Sequence, residues 1–132
     1  MILIGETGSG KTTQIPQFLQ ECGLNRQGKC IGITQPRRVA AISLAQRVGL
    51  ERGQTSQVGF RVRFEDSTNS ETKIIYQTDG MLLREAMLDP ILSKYSWIIL
   101  GSFKFFKIAL HQFLVILLPW YRFFKSLVFF KK

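Results

Sequence analysis

Only two cysteines, one histidine and four prolines occur in 132 residues, and nine acids face eighteen lysines and arginines. Each shortage argues against a class of protein. Cys22 and Cys30 form no CxxC pair and nothing at the N-terminus reads as a secretory signal, so no disulfide scaffold is expected. Reduced, structurally inert thiols in an intracellular compartment are expected instead. His111 stands alone in an apolar run and lacks the partners that a metal or catalytic role would need. Residues 108–121 carry no charge, but these 14 residues fall short of the roughly 20 that span a bilayer. Pro119 interrupts them further, so an interfacial helix anchored by lysines and aromatics is the form that membrane contact through this segment would take.

The acids are also unevenly placed. All nine lie in residues 1–100, beside twelve lysines and arginines, while residues 101–132 hold six basic residues and no acid. Eight of the eleven phenylalanines follow Gly101. Two compositions are joined near residue 100, which weakens the inference of a nucleic-acid partner from the net charge of +9 alone. The expected division is a domain over 1–100 and an unrelated hydrophobic, basic tail over 101–132. The tail's wealth of Phe, Lys, Leu and Ile suits translated non-coding sequence, from a retained intron or a frameshift. Its windows FLVILL and SLVFF carry an aggregation hazard.

Within residues 1–100, apolar runs alternate with helical patterns. Ile2–Ile4 reads as a short buried strand, and a helix follows from Lys11 to about Cys22, with Pro16 in its first turns or bending it. Cys30–Thr34 predicts a second strand, after which Pro36 can sit in the first turn of a helix. In that helix Ala41, Leu44, Ala45 and Val48 share a face. Val58, Phe60, Val62 and Phe64 alternate with Gly59, Arg61 and Arg63, the period of a strand that puts both arginines on one face. Lys73–Thr78 and Trp97–Leu100 are further strands. Asp79 is placed to cap a helix whose apolar stripe is Leu82, Leu83, Ala86 and Met87, closed by Pro90. The alternation predicts an α/β domain with a mostly parallel sheet and flanking helices.

Gly5, Glu6, Thr7, Gly8, Ser9, Gly10, Lys11 and Thr12 spell GxxxxGKT between the first strand and the first helix. The glycines let successive amide N–H groups turn into a concave anion site, and the helix adds the positive end of its dipole. Lys11 would reach the terminal phosphates of ATP, and the Thr12 hydroxyl would be a ligand to Mg2+.

Three ordered blocks, GETGSGKTTQIPQ, TQPRRVAAISLAQRV and TDGMLLREAM, resemble the DEAH-box family of superfamily 2 RNA helicases. The resemblance implies the front part of the first of two RecA-like domains, a P-loop NTPase fold, here truncated. It also implies that Thr34, Gln35, Pro36, Arg37 and Arg38 grip the RNA backbone, with Thr78, Asp79 and Gly80 as a second RNA-facing block. Arginine suits phosphate oxygens and reads them without regard to sequence. Arg61 and Arg63 would extend the same basic face. The alternative for each arginine is an exposed position that only keeps the protein soluble.

After YSWIIL the family pattern calls for the acids of DEAH, whereas this chain reads Gly101, Ser102, Phe103 and Lys104. The serine-alanine-threonine block and the second RecA-like domain are not among the 132 residues either. Phosphoryl transfer needs several groups positioned at once, so no turnover is expected from this chain. The family's sheet also places the strand after DEAH between the phosphate-loop strand and the DEAH strand, and its loss is expected to leave exposed or mispaired edges. Two functions remain open on the sequence: an ATP- and RNA-binding helicase segment, or a non-catalytic isoform that binds RNA, a helicase cofactor protein or a membrane surface. The family implies a nuclear or cytoplasmic setting, and no feature sets an oligomeric state.

Overall fold

The computed structural model describes residues 2–4, 9–25, 28–101 and 127–131. The strands are β1 (Ile2–Ile4), β2 (Cys30–Gln35), β3 (Val58–Val62), β4 (Glu65–Asp66), β5 (Ile74–Thr78), β6 (Tyr95–Leu100) and β7 (Leu127–Lys131). The helices are α1 (Lys11–Glu21), α2 (Arg38–Arg52) and α3 (Asp79–Leu88), with a 3-10 turn at Thr55–Gln57. One sheet runs in the order β1-β7-β6-β2-β5-β3-β4. Every neighbouring pair is parallel except the β3–β4 hairpin.

The sheet's middle is buried on both faces, which is why β2 and β5 open on apolar residues rather than alternating apolar with polar. Ile31, Ile33, Ile74, Tyr76 and Ile99 point to one face, where Leu19 of α1 and Ala41, Ala45 and Val48 of α2 cover them. Cys30, Ile75, Ile98 and Leu100 point to the other, where Leu82 and Ala86 of α3 and Tyr95 close over them. The result is three layers, helices on both sides of a parallel sheet.

Pro16 lies inside α1. Proline has no N–H to donate to the carbonyl four residues earlier, which here belongs to Thr12. The Tyr76 hydroxyl donates to that carbonyl oxygen instead, at 2.8 Å. The helix thus keeps its proline because β5 supplies the missing donor.

Several local expectations are corrected. The alternation through Phe64 does not make one strand, because the chain turns after Val62 and Phe64 adopts φ 67° at 89% exposure. Arg61 and Arg63 consequently part company. Arg63 stacks on the Phe64 ring at 4.8 Å, while Arg61 turns inward between two acids. Pro36 lies outside α2, one residue before the N-cap Arg37, rather than in its first turn. Asp79 is the first residue of α3 and not its cap; Thr78 takes that place in extended conformation. The edges of β1 and β6, expected to be exposed or mispaired, are both paired with β7 from the tail. The segment 108–121 lies outside the described residues. Among the described residues no helix is long and apolar enough to cross a membrane.

Candidate nucleotide and nucleic-acid site

In a parallel sheet all carboxyl ends of the strands share one edge, the usual place for a ligand in an open α/β fold. The registers Thr34↔Gln77, Gln35↔Thr78 and Thr34↔Leu100 align the ends of β2, β5 and β6. Ile4↔Lys131 and Leu100↔Phe129 bring β1 and β7 to the same edge. The chain therefore leaves β1, β2, β5 and β6 along one edge, where the block after β2, the block after β5 and Gly101 lie.

Residues 5–8 of the GxxxxGKT motif lie outside the described residues. Its second half is ordered around Gly10, which caps α1 at φ 78°, a conformation that suits a residue without Cβ. Its carbonyl accepts from the Gln14 amide at 2.8 Å and the Thr13 amide at 3.1 Å. The Thr13 hydroxyl donates to the same oxygen at 2.9 Å, so that hydroxyl is committed to the helix start. Thr12 makes no such side-chain bond among the described residues. Lys11 opens α1, and its ammonium donates to the Ser9 hydroxyl at 2.9 Å. The first turn of a helix directs its amides toward the N-terminal end, and here a cation and a hydroxyl stand beside it. That donor set fits a triphosphate, and Thr12 could supply one oxygen to Mg2+, the phosphates and water supplying the others. Among the described residues no group of three His, Cys, Asp or Glu is placed to hold a metal.

The block after β2 is split by burial. Thr34 is fully buried, Gln35 is half-buried, and Pro36, Arg37 and Arg38 are exposed. Arg37 makes no ion pair among the described residues, and Arg38 pairs with exposed Glu65 at 2.7 Å. The block after β5 places Thr78 and Asp79 half-buried and Gly80 in solvent. The Asp79 carboxyl is pushed above its ordinary value by burial, with the Thr34 hydroxyl drawing it partly back. One of its oxygens is buried without a partner among the described residues.

Gly101 closes against this cluster. Its amide donates to the Thr34 carbonyl at 3.2 Å, and a Cβ here would stand 2.3 Å from that oxygen and 2.6 Å from the Gln35 amide nitrogen. Only glycine fits so near. The position where the family pattern has its first acid is thus occupied by backbone packed on Thr34.

Sequence reasoning missed a polar network beneath the site. Gln77 donates to the Tyr95 hydroxyl at 3.1 Å, and Tyr95 donates to Glu85 at 2.5 Å. Glu85 pairs with Arg61, which also pairs with Asp66 at 2.7 Å and donates to Thr68 at 3.1 Å. Arg61 is thus engaged by two carboxylates within the domain. Burial pushes the Tyr95 phenol far above its ordinary value, with the Glu85 carboxylate adding to the shift. The signal available in the sequence was the buried-strand residue Gln77, which demands a partner.

A parallel α/β sheet with helices on both faces and a glycine-led helix after its first strand defines a RecA-like P-loop fold. Comparison with curated proteins narrows this class. The chain is 57% identical over 106 residues to the pre-mRNA-splicing factor ATP-dependent RNA helicase DEAH10 of Arabidopsis thaliana, covering 77% of this chain and 14% of that protein. It is 61% identical over 103 residues to the human ATP-dependent RNA helicase DHX33, covering 76% of this chain and 14% of that protein. With the splicing helicase prp22 of Schizosaccharomyces pombe the identity is 59% over 104 residues, 77% of this chain and 9% of the relative. Over this three-quarters of its length the chain belongs to the DEAH-box family of ATP-dependent RNA helicases. It spans 15% or less of the length of these relatives. Scanned against models of known families, it matches none.

Proposed function

We propose that the chain binds ATP and the RNA backbone as the front part of a first RecA-like helicase domain, and that residues 1–132 alone do not turn ATP over. The phosphates would lie against Gly5, Glu6, Thr7, Gly8, Ser9 and Gly10, with Lys11 as the point charge and Thr12 on Mg2+. Bound ATP supplies a phosphoanhydride whose hydrolysis drives the family's work. This chain's own residues bind and orient it, and Gly101 offers no carboxylate to hold Mg2+ or place a water. RNA phosphates would meet the exposed guanidinium of Arg37 first. Arg38 can join by giving up an exposed ion pair worth under about 1 kcal/mol. Pro36 and Gly80 would admit close approach, while Gln35, Thr78 and Asp79 line the floor and Thr34 supports them from below. RNA, a helicase cofactor protein and a nuclear or cytoplasmic setting go with this reading.

The observation that supports it is the alignment of the carboxyl ends of β1, β2, β5 and β6 on one edge of the sheet. The test is RNA binding by the full chain over a salt series, with phosphate release followed in parallel. Salt-sensitive binding, weakened evenly across RNA sequences by Arg37→Ala and with a slope shallower by about one, is expected without phosphate release above background. Binding insensitive to salt and to Arg37→Ala would remove the RNA surface from this reading, and sustained phosphate release would remove the inactivity.

A further inference from the structure

The strand β7 belongs to the tail, yet it lies inside the sheet. Leu127, Val128 and Phe129 are register partners of Ile98, Ile99 and Leu100, and Phe129, Phe130 and Lys131 are partners of Ile2, Leu3 and Ile4. The pairing matters most for β1, because β7 is its neighbour in the sheet order and β6 comes next beyond. Strands lie about 4.8 Å apart, so without β7 a gap of roughly 10 Å would separate β1 from β6, beyond any hydrogen bond. Three residues cannot hold a strand conformation unpaired. The helix on the other side of the phosphate loop needs no such help. Leu19 of α1 is part of the core with Ile31 and Ile33, and Tyr76 holds the Thr12 carbonyl. The loop is therefore anchored at its helical end by the domain and at its strand end by the tail.

The sequence of β7 suits that place. A parallel strand inside a sheet is buried on both faces and reads as a continuous apolar run, and Leu-Val-Phe-Phe is such a run of strand-forming residues. A surface or membrane-facing segment would have no reason to stand in register with two strands at once.

We propose that Leu127–Lys131 is an in-chain replacement strand that fastens β1, and through it the phosphate loop, to the sheet, so that nucleotide binding at Lys11 and Thr12 depends on the tail. This rests on the phosphate-loop reading above, but the strand pairing is tested separately from it. The tail is then a working part of the domain, whatever the origin of its sequence.

The experiment uses the full chain and two proline variants, Val128→Pro and Phe129→Pro, with Phe129→Ile as the conservative change. Hydrogen exchange is read at the amides of Ile2–Ile4, of β2 and of β5, and binding of a fluorescent ATP analogue is read beside it. Proline removes a ladder donor, facing β1 at one of these adjacent positions and β6 at the other, and its ring does not fit between two paired strands. Both proline variants should therefore release β7 and lose protection at Ile2–Ile4 while β2 and β5 stay protected. Nucleotide affinity should fall at least tenfold, and Phe129→Ile should keep both. Protection at Ile2–Ile4 unchanged by proline, or lost together with all of β2 and β5, overturns the proposal. A measurement that does not depend on the variants folding is disulfide trapping in a Cys22→Ser background. Leu3→Cys with Phe130→Cys should cross-link within one chain, and a linked dimer as the sole product would place the strand in a second copy and overturn the in-chain assignment. If the unaltered chain binds no nucleotide while exchange and trapping behave as expected, the phosphate-loop reading fails and the replacement strand stands.

Discussion

Tyr76→Phe removes one oxygen from the core, and its cost depends on a proline sixty residues away in sequence. In the wild type the Thr12 carbonyl cannot receive a bond from Pro16, and the Tyr76 hydroxyl is its donor at 2.8 Å. Deleting that hydroxyl leaves a partly buried carbonyl unpaired, which costs about 1–2 kcal/mol. For a domain of this size that is a fall in Tm of very roughly 4–10 °C. In a Pro16→Ala background the new amide at position 16 can bond Thr12 itself, so Tyr76→Phe should then cost less than about 0.5 kcal/mol. Thermal or urea unfolding of the four proteins in the cycle measures the coupling, expected near 1 kcal/mol. Equal losses in both backgrounds, within about 0.3 kcal/mol, would refute the claim that Tyr76 stands in for the missing proline donor.

Gly101→Ala should destabilise the chain by about 1–3 kcal/mol, because the added methyl meets the Thr34 carbonyl and cannot relax away from backbone; equilibrium unfolding measures it. For the same reason, restoring an acid by Gly101→Asp should cost at least as much and leave phosphate release at background. Asp79 bears on pH dependence. Burial lifts its carboxyl above the ordinary 3.8, so between the unfolded and folded values the folded chain holds more protons and stability falls as pH rises through that window. Asp79→Asn should flatten that part of the stability profile and leave the variant more stable than wild type at neutral pH, a comparison made by Tm from pH 3 to 8. Arg61→Met should cost about 2–4 kcal/mol in urea unfolding by stranding Glu85 and Asp66, whereas Arg47→Ala, at an exposed helix pair, should cost under about 1 kcal/mol.

What the sequence disclosed depended on whether the deciding interaction was local. The strands β2, β5 and β6 announce themselves as apolar runs, and α2 shows its buried face in the spacing of Ala41, Ala45 and Val48. The GxxxxGKT block is equally plain as a pattern, and Gly10 and Lys11 lie at the head of α1, where the helix start was expected. Phe64 was misread because an exposed aromatic at a turn continues an alternating pattern as well as a core residue does. Asp79 was misread because a carboxylate one residue inside a helix looks the same as one at its cap. Arg61 and Glu85 stand 24 residues apart, and no periodicity ties them. The tail strand was the least legible element. Its composition marked it as foreign, and only pairing with β1, more than a hundred residues earlier, gives it a place.

The central claim is a folded triphosphate site at the head of α1, and thermal unfolding of the full chain with and without Mg-ATP tests it most directly. At a hundredfold excess over Kd, binding should add about 2.7 kcal/mol to the stability of the folded state. The account predicts a rise in Tm with ATP that Lys11→Ala abolishes while unfolding otherwise like the wild type. A cooperative transition that ATP does not move, or that it moves equally in Lys11→Ala, would contradict it.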